Sequence, residues 1–112
     1  MTGIGIDVVT IARFRAVLKS KKTRFISNTF TNEEQVYCLS FKDPAPHFAG
    51  TFAAKEALRK TSPKLHLPFT DIEIRHSKSG KPEVWVRGRR AKSLYISISH
   101  SSRDAYAVAL NV

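Results

Sequence analysis

Residues 52–60 read FAAKEALRK, and the placement of one of them decides how the rest of the chain is read. At about 100° per residue, Glu56 falls between Phe52 and Ala53, not among solvated positions. Lys60 lies one turn further along the same row. Two readings are open at this point. Glu56 and Lys60 form an ordinary i,i+4 ion pair, worth roughly 0.2–0.5 kcal/mol. Alternatively, the carboxylate faces inward because something there needs it.

The stretch belongs to the longest helix candidate, running from His47 to about Thr61 and ended by Ser62-Pro63. Upstream, Thr2–Val9 alternates, with Ile4, Ile6 and Val8 on one side and Gly3, Gly5 and Asp7 on the other. That spacing predicts a strand with one apolar face, whose glycines leave open space beside Asp7. Thr10 can cap a helix over roughly 11–20, with Ile11, Phe14 and Leu18 inward. Thr31 and Glu34 offer a capping box for a helix of about 32–40, which ends before Asp43-Pro44-Ala45-Pro46. Leu65–Phe69 reads as a loop. Asp71–His76 and Glu83–Arg87 alternate as strands around a turn at Gly80, and Tyr95–His100 and Ala105–Val112 form a second hairpin. A strand, then helices, then four strands predict an α+β fold. A largely antiparallel sheet would pack on one long helix and shorter ones.

At 112 residues with 42% hydrophobic content, the chain is expected to be one globular domain, 1–112. No apolar run reaches the roughly 18 residues of a membrane span. MTGIGIDVV lacks a basic leader and a small-residue cleavage site, so no secretory signal is read there. The single Cys38 cannot form an internal disulfide, and no Cys/His spacing suits zinc. A cytoplasmic setting follows. Lys and Arg number 19 against 9 acids, a formal charge of +10, which predicts a polyanionic partner. Arg13, Arg15, Lys19, Lys21, Lys22 and Arg24 fall in an acid-free run, and Arg87, Arg89, Arg90 and Lys92 form a second cluster. A small basic nucleic-acid-binding protein is the alternative this charge supports. Against it, no RNA-binding motif is present, and Trp85, Tyr95 and Tyr106 are not interleaved with the basic runs as a stacking platform requires.

Three polar positions carry the chemistry. A divalent cation such as Mg²⁺ takes one or two protein carboxylates and fills its remaining positions with water and substrate phosphates. Asp7 and Glu56 form that pair if the long helix packs on the first strand. Lys60 then steadies an oxygen near a transferred phosphoryl group. Near the C-terminus, Ser97-Ile98-Ser99-His100 puts hydroxyls and an imidazole at a strand end. No Gly-x-Ser-x-Gly elbow accompanies it, and the string suits phosphate binding equally well.

Together these residues resemble the holo-acyl-carrier-protein synthases of the 4′-phosphopantetheinyl transferase family. The match rests on Gly3–Val9 with Ile11 and Arg13, on Phe48-Ala49-Gly50 and Phe52–Ala57 through Lys60, and on Ser97–His100 with Ala105, Ala107 and Val108. Asp71–Ile74 and Gly80-Lys81-Pro82 fit between the last two. The resemblance implies transfer of the phosphopantetheine arm of coenzyme A to a serine of apo-acyl carrier protein, in fatty acid biosynthesis. It assigns Asp7 and Glu56 to Mg²⁺ and Lys60 to the pyrophosphate. Lys81 and Pro82 fall to the nucleotide, and Ser99 and His100 to its phosphates. Arg13, with Arg15 and Lys19 on the same basic helix, falls on the surface that docks the acidic carrier protein. Such a partner accounts for the charge without nucleic acid. Family members are usually homotrimers with sites at protomer interfaces, which implies the same here.

Two departures stand beside the match. Lys60 is followed by Thr61-Ser62-Pro63-Lys64-Leu65, where the family has Lys-Ala and a glycine-rich turn. Thr51 stands where many members carry Arg. The first removes the basis for a backbone contact to phosphate there, and the second removes one cationic contact to the nucleotide.

Overall fold

The computed structural model describes residues 2–21 and 23–112. Met1, which opens the stretch read for a leader, and Lys22 of the first basic run lie outside the described residues. The element order is β1 Gly3–Thr10, α1 Ile11–Lys19, α2 Thr23–Thr29, α3 Asn32–Leu39, α4 Ala45–Arg59, β2 Ile72–His76, β3 Pro82–Val86, β4 Arg89–Arg90, β5 Leu94–His100 and β6 Asp104–Asn111. Short 3₁₀ turns at Pro63–Leu65 and Phe69–Asp71 connect α4 to β2. The fold is α+β with antiparallel pairing throughout. Where the sequence suggested one sheet, the strands divide into two sheets of three, β1-β6-β5 and β2-β3-β4.

Helix α4 is the hub. It is buried on almost every side, from Ala45 to Leu58, as expected of a helix apolar all round. It begins two residues before the expected start because Pro46 is accommodated in the first turn, where no amide donor is needed. It ends at Arg59, with Lys60 as C-cap. Beside it, Phe14, Phe25, Phe30, Phe48 and Phe52 pack edge-on or tilted at centroid separations of 5.0–6.2 Å. Each fully buried ring contributes roughly 1.5–3 kcal/mol.

The capping box at Thr31 and Glu34 forms as expected. Thr10 occupies the N-cap position of α1, but its side chain makes no capping bond. The Ile11 amide donates instead to the Arg103 carbonyl at 2.9 Å. Helix α2 was not anticipated; Thr23–Thr29 lacks a clear apolar period and is shaped by its contacts.

The first strand presents its apolar residues outward and its glycine side to α4. Ile4, Ile6 and Val8 are 71%, 66% and 56% exposed, while Gly3, Gly5, Asp7 and Val9 face α4. The glycines leave no open space. A Cβ on Gly5 would overlap the Ala57 carbonyl oxygen, and one on Gly3 would overlap that of Thr61. The helix backbone occupies the volume where side chains would be.

One buried charge pair crosses the core. Lys55 is 0% and Glu34 2% exposed, with Lys55 Nζ 2.6 Å from Glu34 Oε1. The same ammonium donates to the carbonyls of Thr29 at 2.8 Å and Phe69 at 3.0 Å. Glu34 Oε2 accepts the Ile74 amide at 2.7 Å, and Oε1 accepts the Thr31 amide at 2.9 Å. Burial pushes the Glu34 carboxyl up and the Lys55 ammonium down, and each group opposes the other's shift.

Candidate active site

Contacts between β1 and α4 set the register of the first group of residues. Gly3 lies on Thr61 and Gly5 on Ala57. Two strand residues advance about 6.6 Å, close to one helical turn of about 5.4 Å. The next inward residue, Asp7, therefore comes level with Ala53, one turn before Ala57. Lys60 Nζ donates to the Ile6 carbonyl at 2.7 Å and lies 3.3 Å from Asp7 Oδ1. Glu56 pairs with Arg59 at 3.5 Å. The i,i+4 pair of Glu56 with Lys60 is thus not the arrangement adopted, because Lys60 reaches across to the strand.

This corner suits a hard cation. Two oxygens, the Ile6 carbonyl and Asp7 Oδ1, already converge on the Lys60 ammonium. Among the described residues no group of three or more His, Cys, Asp or Glu could hold a metal, so a closed protein cage is absent. A pair of carboxylates on adjacent elements is the donor set that Mg²⁺ uses when substrate phosphates and water complete its shell.

A second group lines a cleft of about 430 Å³ between α3, α4, the β2–β3 turn and β5. Lys81, Pro82 and His100 meet there. Ser99 does not; it pairs with Tyr106 on the opposite face of its sheet, as strand alternation requires. Ser97 shares that outer face, opposite Val108, and borders the cleft beside Ile96 and Ile98.

The cleft also contains residues that the sequence did not single out. His76 stacks on Tyr37 at 3.8 Å, and His47 stacks on Phe41 at 3.5 Å. His47 and His100 face each other edge-on at 6.1 Å. His100 Nδ1 lies 3.2 Å from the Ser101 carbonyl. A carbonyl only accepts, so that nitrogen carries the proton. Burial pushes the His47 imidazole below its usual value, with His100 adding to the effect and Asp43 opposing it. His76 is lowered by burial and then by His47. These residues come from segments far apart in sequence, so no local spacing marks them. Thr51 borders the cleft too, with its hydroxyl donated to the His47 carbonyl at 2.9 Å. Cys38 is buried and its thiol is pushed up to about 12 by burial, which removes it as a nucleophile.

The basic surface is less uniform than the charge count suggests. Arg13 lies over the Phe52 ring at 5.0 Å. Arg15 makes a two-pronged bond to Asp43 at 2.7 and 2.8 Å, so its charge is already partnered, while Lys19 is exposed. In the second cluster Arg87 pairs with Asp71 and Arg90 with Glu83.

The outer face of the first sheet is apolar. Across β1, β6 and β5 it aligns Ile4 with Leu110 and Tyr95, Ile6 with Val108, and Val8 with Tyr106. All seven are exposed. Contiguous apolar faces of this kind mark interaction surfaces.

The sequence model of the 4′-phosphopantetheinyl transferase superfamily matches residues 3–111, and the chain belongs to that family. It is similar to the holo-[acyl-carrier-protein] synthase of Syntrophotalea carbinolica, 37% identical, with 98% of this chain and 94% of the relative covered. Among solved structures it resembles the Helicobacter pylori holo-[acyl-carrier-protein] synthase in complex with coenzyme A, with TM-score 0.78, 35% identity and coverage of 95% and 96%. The Bacillus anthracis enzyme in complex with CoA (3′,5′-ADP) gives TM-score 0.79 and 30% identity, with coverage of 97% and 94%.

Proposed function

We propose that this protein transfers 4′-phosphopantetheine from coenzyme A to a serine of apo-acyl carrier protein, releasing adenosine 3′,5′-bisphosphate. The observation that supports the reading is the glycine-mediated contact of β1 with α4, with Lys60 Nζ 3.3 Å from Asp7 Oδ1. Asp7 and Glu56 would hold Mg²⁺. When bound, that ion neutralises charge on the pyrophosphate. The serine oxygen bonds to the β-phosphorus, the bond from that phosphorus to the bridging pyrophosphate oxygen breaks, and the serine proton passes to solvent water. Lys60 faces the same oxygens and balances the charge that gathers on them and on the departing nucleotide. Lys81, Pro82 and His100 hold the nucleotide in the cleft, with Ser99 assigned to its phosphates by resemblance alone. Arg13, Arg15 and Lys19 present α1 to the acidic carrier protein. Arg15 must then exchange or share Asp43. The role is in fatty acid biosynthesis and the setting cytoplasmic; among the described residues no helix is long and apolar enough to cross a membrane.

The deciding experiment is intact-mass measurement of apo-acyl carrier protein incubated with coenzyme A and this protein. Growth by one phosphopantetheine with Mg²⁺, and none with chelator, is the expected outcome. No growth with several carrier proteins would sink the reading.

The site is assigned to the interface of a homotrimer. Thr51, at the cleft, and Lys60 are nine residues apart on α4, about 14 Å along its axis. One protomer therefore offers two separated halves of a site, and a neighbouring copy packed on the apolar sheet face can bring unlike halves together. Val108→Glu, at the centre of that face, is expected to give a monomer by light scattering and to lose most turnover while remaining folded. A trimer with full activity would dismiss this surface.

A further inference from the structure

We propose that the buried Lys55–Glu34 pair is a positioning device for Glu56, fixing the rotation of α4 about its own axis. The inference rests on the reading of Glu56 as a ligand for Mg²⁺.

Its basis is the distribution of the anchors. The three oxygens that receive the Lys55 ammonium come from three different elements: Thr29 at the end of α2, Glu34 in the first turn of α3, and Phe69 in the second 3₁₀ turn. Glu34 extends the network to β2 through the Ile74 amide. The end of α2, the first turn of α3, β2 and the second 3₁₀ turn are thereby tied to one side chain. Lys55 and Glu56 are consecutive, so their bearings around the helix differ by about 100°. Fixing one fixes the other.

Apolar packing does not supply this. The other buried residues of the helix are Ala, Phe, Leu, Gly and Thr51, and Thr51 spends its hydroxyl on the His47 carbonyl of the same helix. Hydrogen bonds from a single ammonium to three oxygens do supply it. Nor is stability the evident reason for the pair, since well-packed apolar replacements of buried ion pairs are often neutral or stabilising. The pair lies on the far side of the helix from Asp7 and does not touch the proposed metal or substrate. Its effect is through Glu56.

The test is the double variant Lys55→Met/Glu34→Leu, which removes both charges and keeps the volume. Mn²⁺ binding in the presence of coenzyme A, followed by the electron paramagnetic resonance signal of the free ion, is read beside steady-state kinetics. The expected result is a folded protein with a lowered unfolding midpoint, since the Thr31 and Ile74 amides lose their acceptor, Mn²⁺ affinity reduced about 10- to 100-fold, kcat reduced, and KM for the carrier protein unchanged because α1 is untouched. A folded double variant with parental Mn²⁺ affinity and kcat overturns the proposal. If the double variant does not fold, Glu34→Asp takes its place. It keeps the charge and shortens the anchor by one methylene, and a smaller loss of Mn²⁺ affinity is expected; parental affinity there likewise overturns the proposal. Glu56→Gln is measured in parallel. If it too binds Mn²⁺ as the parent does, the metal reading fails with the inference. If it alone is weakened, only the positioning role falls.

Discussion

Glu56→Gln is expected to lower turnover about 10³-fold, the equivalent of about 4 kcal/mol of transition-state stabilisation, with the fold intact. The amide keeps the shape of the carboxylate and loses its charge. Glu56 is only partly buried, and its ion pair is a long one to Arg59 on its own helix, so little folding energy rests on it. Single-turnover mass spectrometry reads the rate, and thermal unfolding monitors the fold. Loss of activity with an unchanged midpoint places Glu56 in the chemistry. A near-parental rate would return it to an ion pair with Arg59.

The second large effect is expected from Gly5→Ala, a change that elsewhere in a strand is neutral or stabilising. Here the new methyl would coincide with the Ala57 carbonyl oxygen and press on the Lys60 side chain. Neither backbone can yield locally, so α4 must move off β1. The cost is about 1–3 kcal/mol. The same displacement separates Asp7 from Glu56, so turnover and the apparent affinity for Mg²⁺ should fall together. Chemical denaturation and a Mg²⁺ titration of the rate check both. A variant as stable and as active as the parent would mean that the close contact of strand and helix is not what builds the site.

Features marked by local chemistry were legible in the sequence. Helix α3 came from the reciprocal bonds of Thr31 and Glu34, α4 from its length and its Ser62-Pro63 end, and the hairpins from alternation and Gly80. The close approach of β1 to α4 was also foreseeable, because only glycine and alanine permit it. Other features depended on context the chain does not carry locally. The alternation of β1 shows that its isoleucines share a side, but such a pattern does not specify which side is inside. Glu34 was read correctly as a cap, but its burial comes from Lys55, twenty-one residues on. Lys60 bonds a strand fifty-three residues away, and the two isolated residues of β4 had no period to detect. The cleft histidines are brought together by tertiary packing alone.

The pairing of β1 with β6 has a consequence for synthesis. Gly3 lies opposite Asn111, and Asp7 opposite Ala107. While the chain is being made, the segment bearing Asp7 leaves the ribosome early and then has no partner strand until residues 104–111 have followed. Closure of this sheet spans nearly the whole chain, a non-local step that local helix formation cannot replace. Nascent chains therefore expose Ile4, Ile6 and Val8 on an unpaired edge, where chaperone binding is expected. Pairing of β1 waits until residues 104–111 have left the ribosome.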